Sequence, residues 1–115
     1  MVLPSTAKST VYGDRDDCSF DAANQAIGTV TFTRKKNTLT VKVSLHGADP
    51  GNYTVRLYQF ANNDCGDHWD LGTFKVGASG DGSRTGSADV SGEGKLFFVD
   101  VFSDAADNES DVVKV

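Results

Sequence analysis

The alternation of apolar and polar residues is the feature that most constrains how this chain folds. In the segment 38–46 every second residue is apolar, namely Leu39, Val41, Val43 and Leu45. Successive side chains point to opposite faces of a strand, so this spacing predicts a strand with one buried face. Similar segments recur between turns rich in Gly, Asp and Asn, and we find no convincing helical period. The sequence therefore predicts an all-β protein, an antiparallel β-sandwich of about 7–8 strands.

Length and charge limit the domain organisation and the partners. A chain of 115 residues is the size of one domain. We expect an N-terminal arm or first edge strand over residues 1–12 and the β-sandwich over residues 13–115. The formal net charge of −5 argues against nucleic acid, and no apolar run is long enough to predict membrane insertion.

The two cysteines, Cys18 and Cys65, predict a disulfide. Such a bond would close a loop of about 47 residues and stabilise the fold by up to about 4 kcal/mol in the chain-entropy model. Two unrelated buried thiols are the alternative. Because disulfides persist in oxidising compartments, the bridge favours an extracellular or cell-surface location.

Acidic residues are concentrated in the predicted turns, mostly at one end of the sandwich. Carboxylates on flexible loops are the ligands that Ca²⁺ prefers. The candidate ligands are Asp14, Asp16, Asp17, Asp104, Asp107 and Glu109. The alternative is that these side chains cap turns and keep the surface soluble. Calcium is the only cofactor that the sequence suggests.

Little in the sequence points to catalysis. Cys65 and His68 are close enough to form a nucleophile–base pair, but no residue is identified to orient the base or to stabilise an oxyanion. Two His and two Cys are a poor set for structural zinc, with His46 and His68 expected at opposite ends. We therefore expect a protein that is not an enzyme.

Several motifs together resemble secreted bacterial immunoglobulin-like domains. They are LTVKVSLHGADPGNYTVRLY at 39–58, Cys65, LGTFKV at 71–76, GDG at 80–82 and FFVDV at 97–101. This resemblance implies an immunoglobulin-like β-sandwich that serves as a surface, adhesion or spacer module. The first stretch is also similar to the Cu/Zn superoxide dismutase sandwich, in which a Pro-Gly turn precedes a His-x-His copper pair. Arg56 and Tyr58 stand at those positions, so dismutase activity is not implied.

Outward-facing aromatic residues are the candidates for partner binding. Alternation places Tyr58, Phe98 and Phe102 on outer faces, where they could form an interface patch. Alternatively, the nearly continuous apolar run around Phe98 is a central strand covered on both sides. Trp69 could stack on a sugar, but a lone loop Trp more often closes the end of a core, so we do not expect a carbohydrate ligand.

These observations lead to one expectation and one alternative. We expect a non-enzymatic extracytoplasmic or cell-surface interaction or structural module, with calcium as a candidate stabiliser. Its partner would be another protein or a second copy of the chain. The alternative is a filament or oligomer subunit that assembles by β-strand addition through residues 1–12.

Overall fold

The computed structural model describes residues 5–13, 25–61, 64–104 and 106–115, and in these ranges the regular structure is β-strand. The strands are β1 (Ser5–Tyr12), β2 (Ala26–Lys35), β3 (Thr38–Leu45), β4 (Gly51–Ala61), β5 (Asp64–Val76), β6 (Gly82–Asp89), β7 (Leu96–Phe102), β8 (Asp107–Ser110) and β9 (Val113–Lys114). No helix in these ranges has the length and apolar character needed to cross a bilayer.

The strands form one nine-stranded sheet that curls into a nearly closed barrel. Their order is β5-β4-β7-β8-β1-β2-β3-β6, with β9 paired to β7, and the paired strands are antiparallel. The terminal strands β5 and β6 meet at the remaining gap, where Arg84 Nε donates to the Leu71 carbonyl at 2.9 Å. The prediction of an antiparallel all-β protein is confirmed. The more specific prediction of an immunoglobulin-like sandwich of 7–8 strands is not confirmed.

The core follows the alternation read from the sequence. In β3, Leu39, Val41, Val43 and Leu45 are at most 1% exposed. They meet Phe32 and Val30 of β2 in register, and side chains of β4 and β7 pack against them. Each large apolar side chain removed from water stabilises the fold by roughly 1.5–3 kcal/mol. The barrel interior is therefore the main source of stability.

The environment of Trp69 differs from the prediction. Trp69 was expected in a loop, but β5 begins at Asp64, and Trp69 pairs with Leu57 of β4. The start of this strand was not predicted because its Gly and Asp residues are typical of turns. Strand β1 begins at Ser5, within the segment 1–12 that was expected to be an arm or first edge strand.

Strand β1 belongs to the protein's own sheet. It pairs with β2 from Ser5 to Tyr12, and at Val11 and Tyr12 it also pairs with β8. Strand addition to another molecule through this segment would require it to leave these pairings. Assembly through residues 1–12 remains an untested alternative.

Candidate functional site

A row of polar side chains crosses the outer face of five adjacent strands. Val55, Leu57, Val99 and Val101 are buried in the core, so the intervening Arg56 and Asp100 face outward. The strand register places one residue from each strand side by side, in the order Asp70, Arg56, Asp100, Glu109 and Tyr12. We call this set the carboxyl row.

Arg56 is fixed in place from two sides. Its Nε donates a hydrogen bond to Asp70 Oδ1 at 2.6 Å, and its guanidinium lies 5.0 Å from the centre of the Phe102 ring. This hydrogen bond lowers the pKa of Asp70 and raises that of Arg56. The pair is partly exposed, so its contribution to stability is small. The structural effect of the Arg56–Asp70 pair is to orient the guanidinium of Arg56.

Asp100 has an unusual environment for a carboxyl group. It is only 9% exposed although it lies on the outer face. Asp100 Oδ1 and Asp107 Oδ1 are buried and receive no hydrogen bond from an N–H or hydroxyl group of the described residues, and the two carboxyl groups interact with each other. Burial raises the pKa of Asp100 to about 9, and Asp107 and Glu109 add to this effect. Burial therefore favours the protonated, neutral form of Asp100.

Aromatic rings border the carboxyl row on one side. Tyr58 stacks on Phe98 with ring centres 5.1 Å apart and planes inclined by 7°. His68 of β5 lies 5.3 Å from the Tyr58 ring, and Phe60 approaches the edge of Phe98 at 6.5 Å. Phe98 is fully buried, whereas Tyr58 is half-buried and His68 is exposed. The stack thus gives Tyr58 a rigid support.

The four predicted binding residues have different environments. Tyr58 and Phe102 are half-buried on the outer face, next to Arg56. Phe98 has no exposed surface, so here the strand is covered on both sides, as the alternative interpretation proposed. Trp69 packs against the core, with its ring centre 6.4 Å from that of Phe97.

The predicted metal ligands are only partly within the described residues. Asp14, Asp16 and Asp17 lie outside them. Asp104 is exposed, Asp107 is half-buried and Glu109 is 1% exposed. In the part of the chain that the structure describes, no group of at least three His, Cys, Asp or Glu residues is arranged to hold a metal ion. The calcium site remains a prediction.

Of the two cysteines predicted to form a disulfide, only Cys65 lies within the described residues. Cys65 lies in β5 and is disulfide-bonded, and the described residues contain no free cysteine. Cys18, its predicted partner, lies outside the described ranges, so the pairing itself remains a prediction. A bonded Cys65 is not available as a nucleophile beside His68.

Comparison with known proteins gives the class of fold. No protein-family model matches the chain. No curated protein matches it by sequence. A solved structure, the Cu/Zn superoxide dismutase from Brucella abortus, matches with a TM-score of 0.61 at 14% identity, covering 96% of this chain and 100% of that one.

The structural match defines a superoxide dismutase-like β-barrel and corrects one expectation. The prediction that the protein is not an enzyme is contradicted, because the solved structure that it resembles is an enzyme. At 14% identity the similarity extends to the fold alone, so the activity of that protein is not transferred to this chain. The resemblance to immunoglobulin-like domains finds no match in the comparisons.

The side chains present do not fit the copper and zinc that the solved structure's name implies. The sequence has two histidines, and Arg56 and Tyr58 occupy the positions that the sequence resemblance assigns to a copper pair. His46 lies beside Asp81 in the turn after β5, with Nδ1 3.3 Å from Oδ1, whereas His68 is near the start of β5. The intervening strand separates them by roughly 25 Å. They cannot bind one metal ion together.

The central residues of the row, Arg56 and Asp100, were not recognised as site residues from the sequence. Asp100 is a single acid within an apolar run, and that isolation is the signal that could have identified it. Its position beside Arg56 depends on strand register, which alternation alone does not give.

Proposed function

We propose that the protein is an extracytoplasmic interaction module that binds a protein partner through an outer patch on β4 and β5. The patch consists of Arg56, Tyr58, His68 and Asp70. The observation that carries this proposal is the parallel stack of Tyr58 on the fully buried Phe98, at 5.1 Å and 7°. A ring held in this way loses little conformational freedom when a partner binds.

The composition of the patch supports a protein partner. Tyr and Arg are enriched among the residues that dominate protein–protein binding energies. Arg56 is oriented by Asp70 and Phe102, yet 31% of its side chain remains exposed. His68 is exposed beside Tyr58. The patch therefore offers fixed aromatic, cationic and anionic groups within one small area.

The chemistry of Cys65 supports the extracytoplasmic location. A disulfide-bonded cysteine is typical of proteins outside the reducing cytosol. The secreted immunoglobulin-like domains that the sequence resembles also act as surface modules. This part of the proposal predicts that the protein is found in the periplasmic, surface or secreted fraction of its host.

Site-specific photo-crosslinking in the host organism tests the binding surface. The photoreactive residue p-benzoylphenylalanine is placed at Tyr58 in one variant and at Ala78 in another. Ala78 is exposed in the turn between β5 and β6, outside the patch. We expect a discrete crosslinked adduct from position 58 and none from position 78.

Adding Arg56→Ala to the variant with the photoreactive residue at position 58 tests whether the adduct depends on the patch. We expect it to reduce the adduct from position 58 severalfold without changing the amount of folded protein. Equal adducts from positions 58 and 78, or none at position 58 in protein that is folded and abundant, would contradict the proposal.

A further inference from the structure

The outward side chains of β1, β2, β3 and β6 form a second outer surface, which we call the hydroxyl face. Strand pairing places these residues in transverse rows across the four strands. Most of them are hydroxyl residues: Thr6, Thr10, Thr29, Thr31, Thr33, Thr38, Thr40, Ser44, Ser83, Thr85 and Ser87. The charged members are Lys8, Lys35, Lys42 and Asp89. Tyr12, which belongs to the carboxyl row, and Ile27, which packs against the core, lie outside this set.

Regular strand geometry gives the hydroxyl face a repeating spacing. Neighbouring strands lie about 4.8 Å apart, and alternate residues along one strand are about 6.7 Å apart. One row contains Lys8, Thr31, Lys42 and Thr85 in successive strands. Lys8 and Lys42 are therefore separated by roughly 10 Å, with a threonine hydroxyl between them.

The lysines of this face are not paired with acidic residues of the described ranges. There, Lys8, Lys35 and Lys42 make no ion pair or side-chain hydrogen bond. Asp89 is engaged by its own turn, where its Oδ1 accepts hydrogen bonds from the Ser91 backbone and hydroxyl. The chain carries a net charge of −5, so a surface with unpaired cations differs in sign from the molecule as a whole.

Two depressions follow one another along β2 on this face. One, of about 320 Å³, is lined by Lys8, Thr10, Thr29 and Thr31, together with Ser9. The other, of about 690 Å³, is lined by Thr33, Lys35, Lys36, Asn37, Thr38 and Thr40. Both combine ammonium groups with hydroxyls. From Thr29 to Lys35 the two depressions extend over roughly 20 Å of strand.

We propose that the hydroxyl face binds a linear anionic polysaccharide. Threonine and serine hydroxyls can exchange hydrogen bonds with sugar hydroxyls, since each donates one and accepts others. The unpaired lysines provide the complementary charge for carboxylate or sulfate groups, and their attraction to such groups falls as salt rises. This ligand differs from the protein partner of the β4–β5 patch, and it uses other strands.

Affinity electrophoresis of the intact protein tests the proposal. Native gels contain polygalacturonate, dextran sulfate, neutral dextran or duplex DNA at equal mass. We expect retardation in at least one of the two anionic polysaccharides, and the comparison of these two gels distinguishes carboxylate from sulfate. We expect none in neutral dextran, and much weaker retardation in DNA.

Matched charge variants identify the surface involved. Lys8→Gln combined with Lys42→Gln should weaken binding about tenfold. Lys75→Gln combined with Lys95→Gln removes the same charge from exposed positions elsewhere, so it should leave binding unchanged. Thr31→Val, which removes only a hydroxyl between the two lysines, should weaken binding severalfold.

Four results would overturn the proposal. In the gels, these are no retardation in either anionic polysaccharide, or retardation in neutral dextran or DNA equal to that in the anionic polysaccharides. Among the variants, the result is an equal loss of binding in the Lys8/Lys42 and Lys75/Lys95 double variants. Circular dichroism of each variant checks that the fold is intact. Because these substitutions avoid the β4–β5 patch, the outcome is independent of the crosslinking experiment.

Discussion

Replacing Asp100 by asparagine should remove a pH dependence from the stability of this protein. In the folded protein burial raises the pKa of Asp100 from 3.8 to about 9. The unfolded chain releases this proton near pH 4, whereas the folded protein retains it. Between these two pH values the folded state binds more protons than the unfolded state, so its stability falls as pH rises. The amide of the asparagine variant cannot titrate, so this contribution disappears.

The size of the effect follows from proton linkage. A difference of one bound proton changes the free energy of unfolding by about 1.4 kcal/mol per pH unit. From pH 5 to pH 8 the loss is therefore about 4 kcal/mol at most. Asp107 and Glu109 interact with Asp100, so the measured slope belongs to the cluster. The lowered pKa of Asp70 acts in the opposite sense, and it affects stability only at pH values below this window.

Urea unfolding followed by Trp69 fluorescence measures this slope, because the chain has one tryptophan. The titration runs from pH 5 to pH 8 in EDTA, which removes any effect of a bound divalent cation. We expect the free energy of unfolding of the wild type to fall across this range. The free energy of unfolding of Asp100→Asn should fall less over this range, and this variant should be more stable than the wild type at pH 8.

Asp104→Asn is the matched control, because Asp104 is an exposed aspartate in the turn that follows β7, the strand of Asp100. Its slope should equal that of the wild type. If Asp100→Asn has the same slope as the wild type, the buried carboxyl is not the source of the pH dependence. Burial would then not hold a proton on Asp100 at neutral pH.

Three further predictions concern ligand binding and closure of the barrel. A calcium site that includes Asp104, Asp107 and Glu109 predicts that millimolar Ca²⁺ raises the Tm and that a chelator reverses the rise; a Tm unaffected by both removes the site. Gly72 has a φ of +95° and an added Cβ would meet the Arg84 guanidinium, so Gly72→Ala should cost about 1–3 kcal/mol in urea unfolding. Arg34 Nη1 donates to the carbonyls of Gly94 at 2.7 Å and Val115 at 3.3 Å. Lysine lacks this planar geometry, so Arg34→Lys should lower stability by about 1 kcal/mol in the same measurement, and an unchanged midpoint would exclude this role.

The parts of the fold that sequence predicted well depend on local alternation. Leu39 and Val41 lie in the core whichever strands pair with β3, because any strand with this pattern buries the same face. Local pattern also indicated the antiparallel class, since short strands joined by tight turns favour neighbouring antiparallel pairs.

The parts that sequence missed depend on pairing between distant strands. Asp64–Asp70 has a turn-like composition, and only its pairing with β4 shows that it is a strand. Register shifts between Thr54 and Arg56, and between Val11 and Tyr12, decide which side chains lie beside the carboxyl row. Such irregularities change the position of every later residue in the pairing, and no local pattern specifies them.

Asp100 and Glu109 of the carboxyl row lie outside the hydrophobic core of the barrel. The core lies on the inner face, and replacing buried ionisable groups by well-packed apolar residues is often neutral or stabilising. Asp100 and Glu109 are nevertheless nearly buried on the outer face, next to a guanidinium held at 2.6 Å from Asp70. Groups that are costly for stability and converge on one surface are typical of sites under functional constraint. Substitutions on the outer face of β4, β7 and β8 should therefore affect function more than stability.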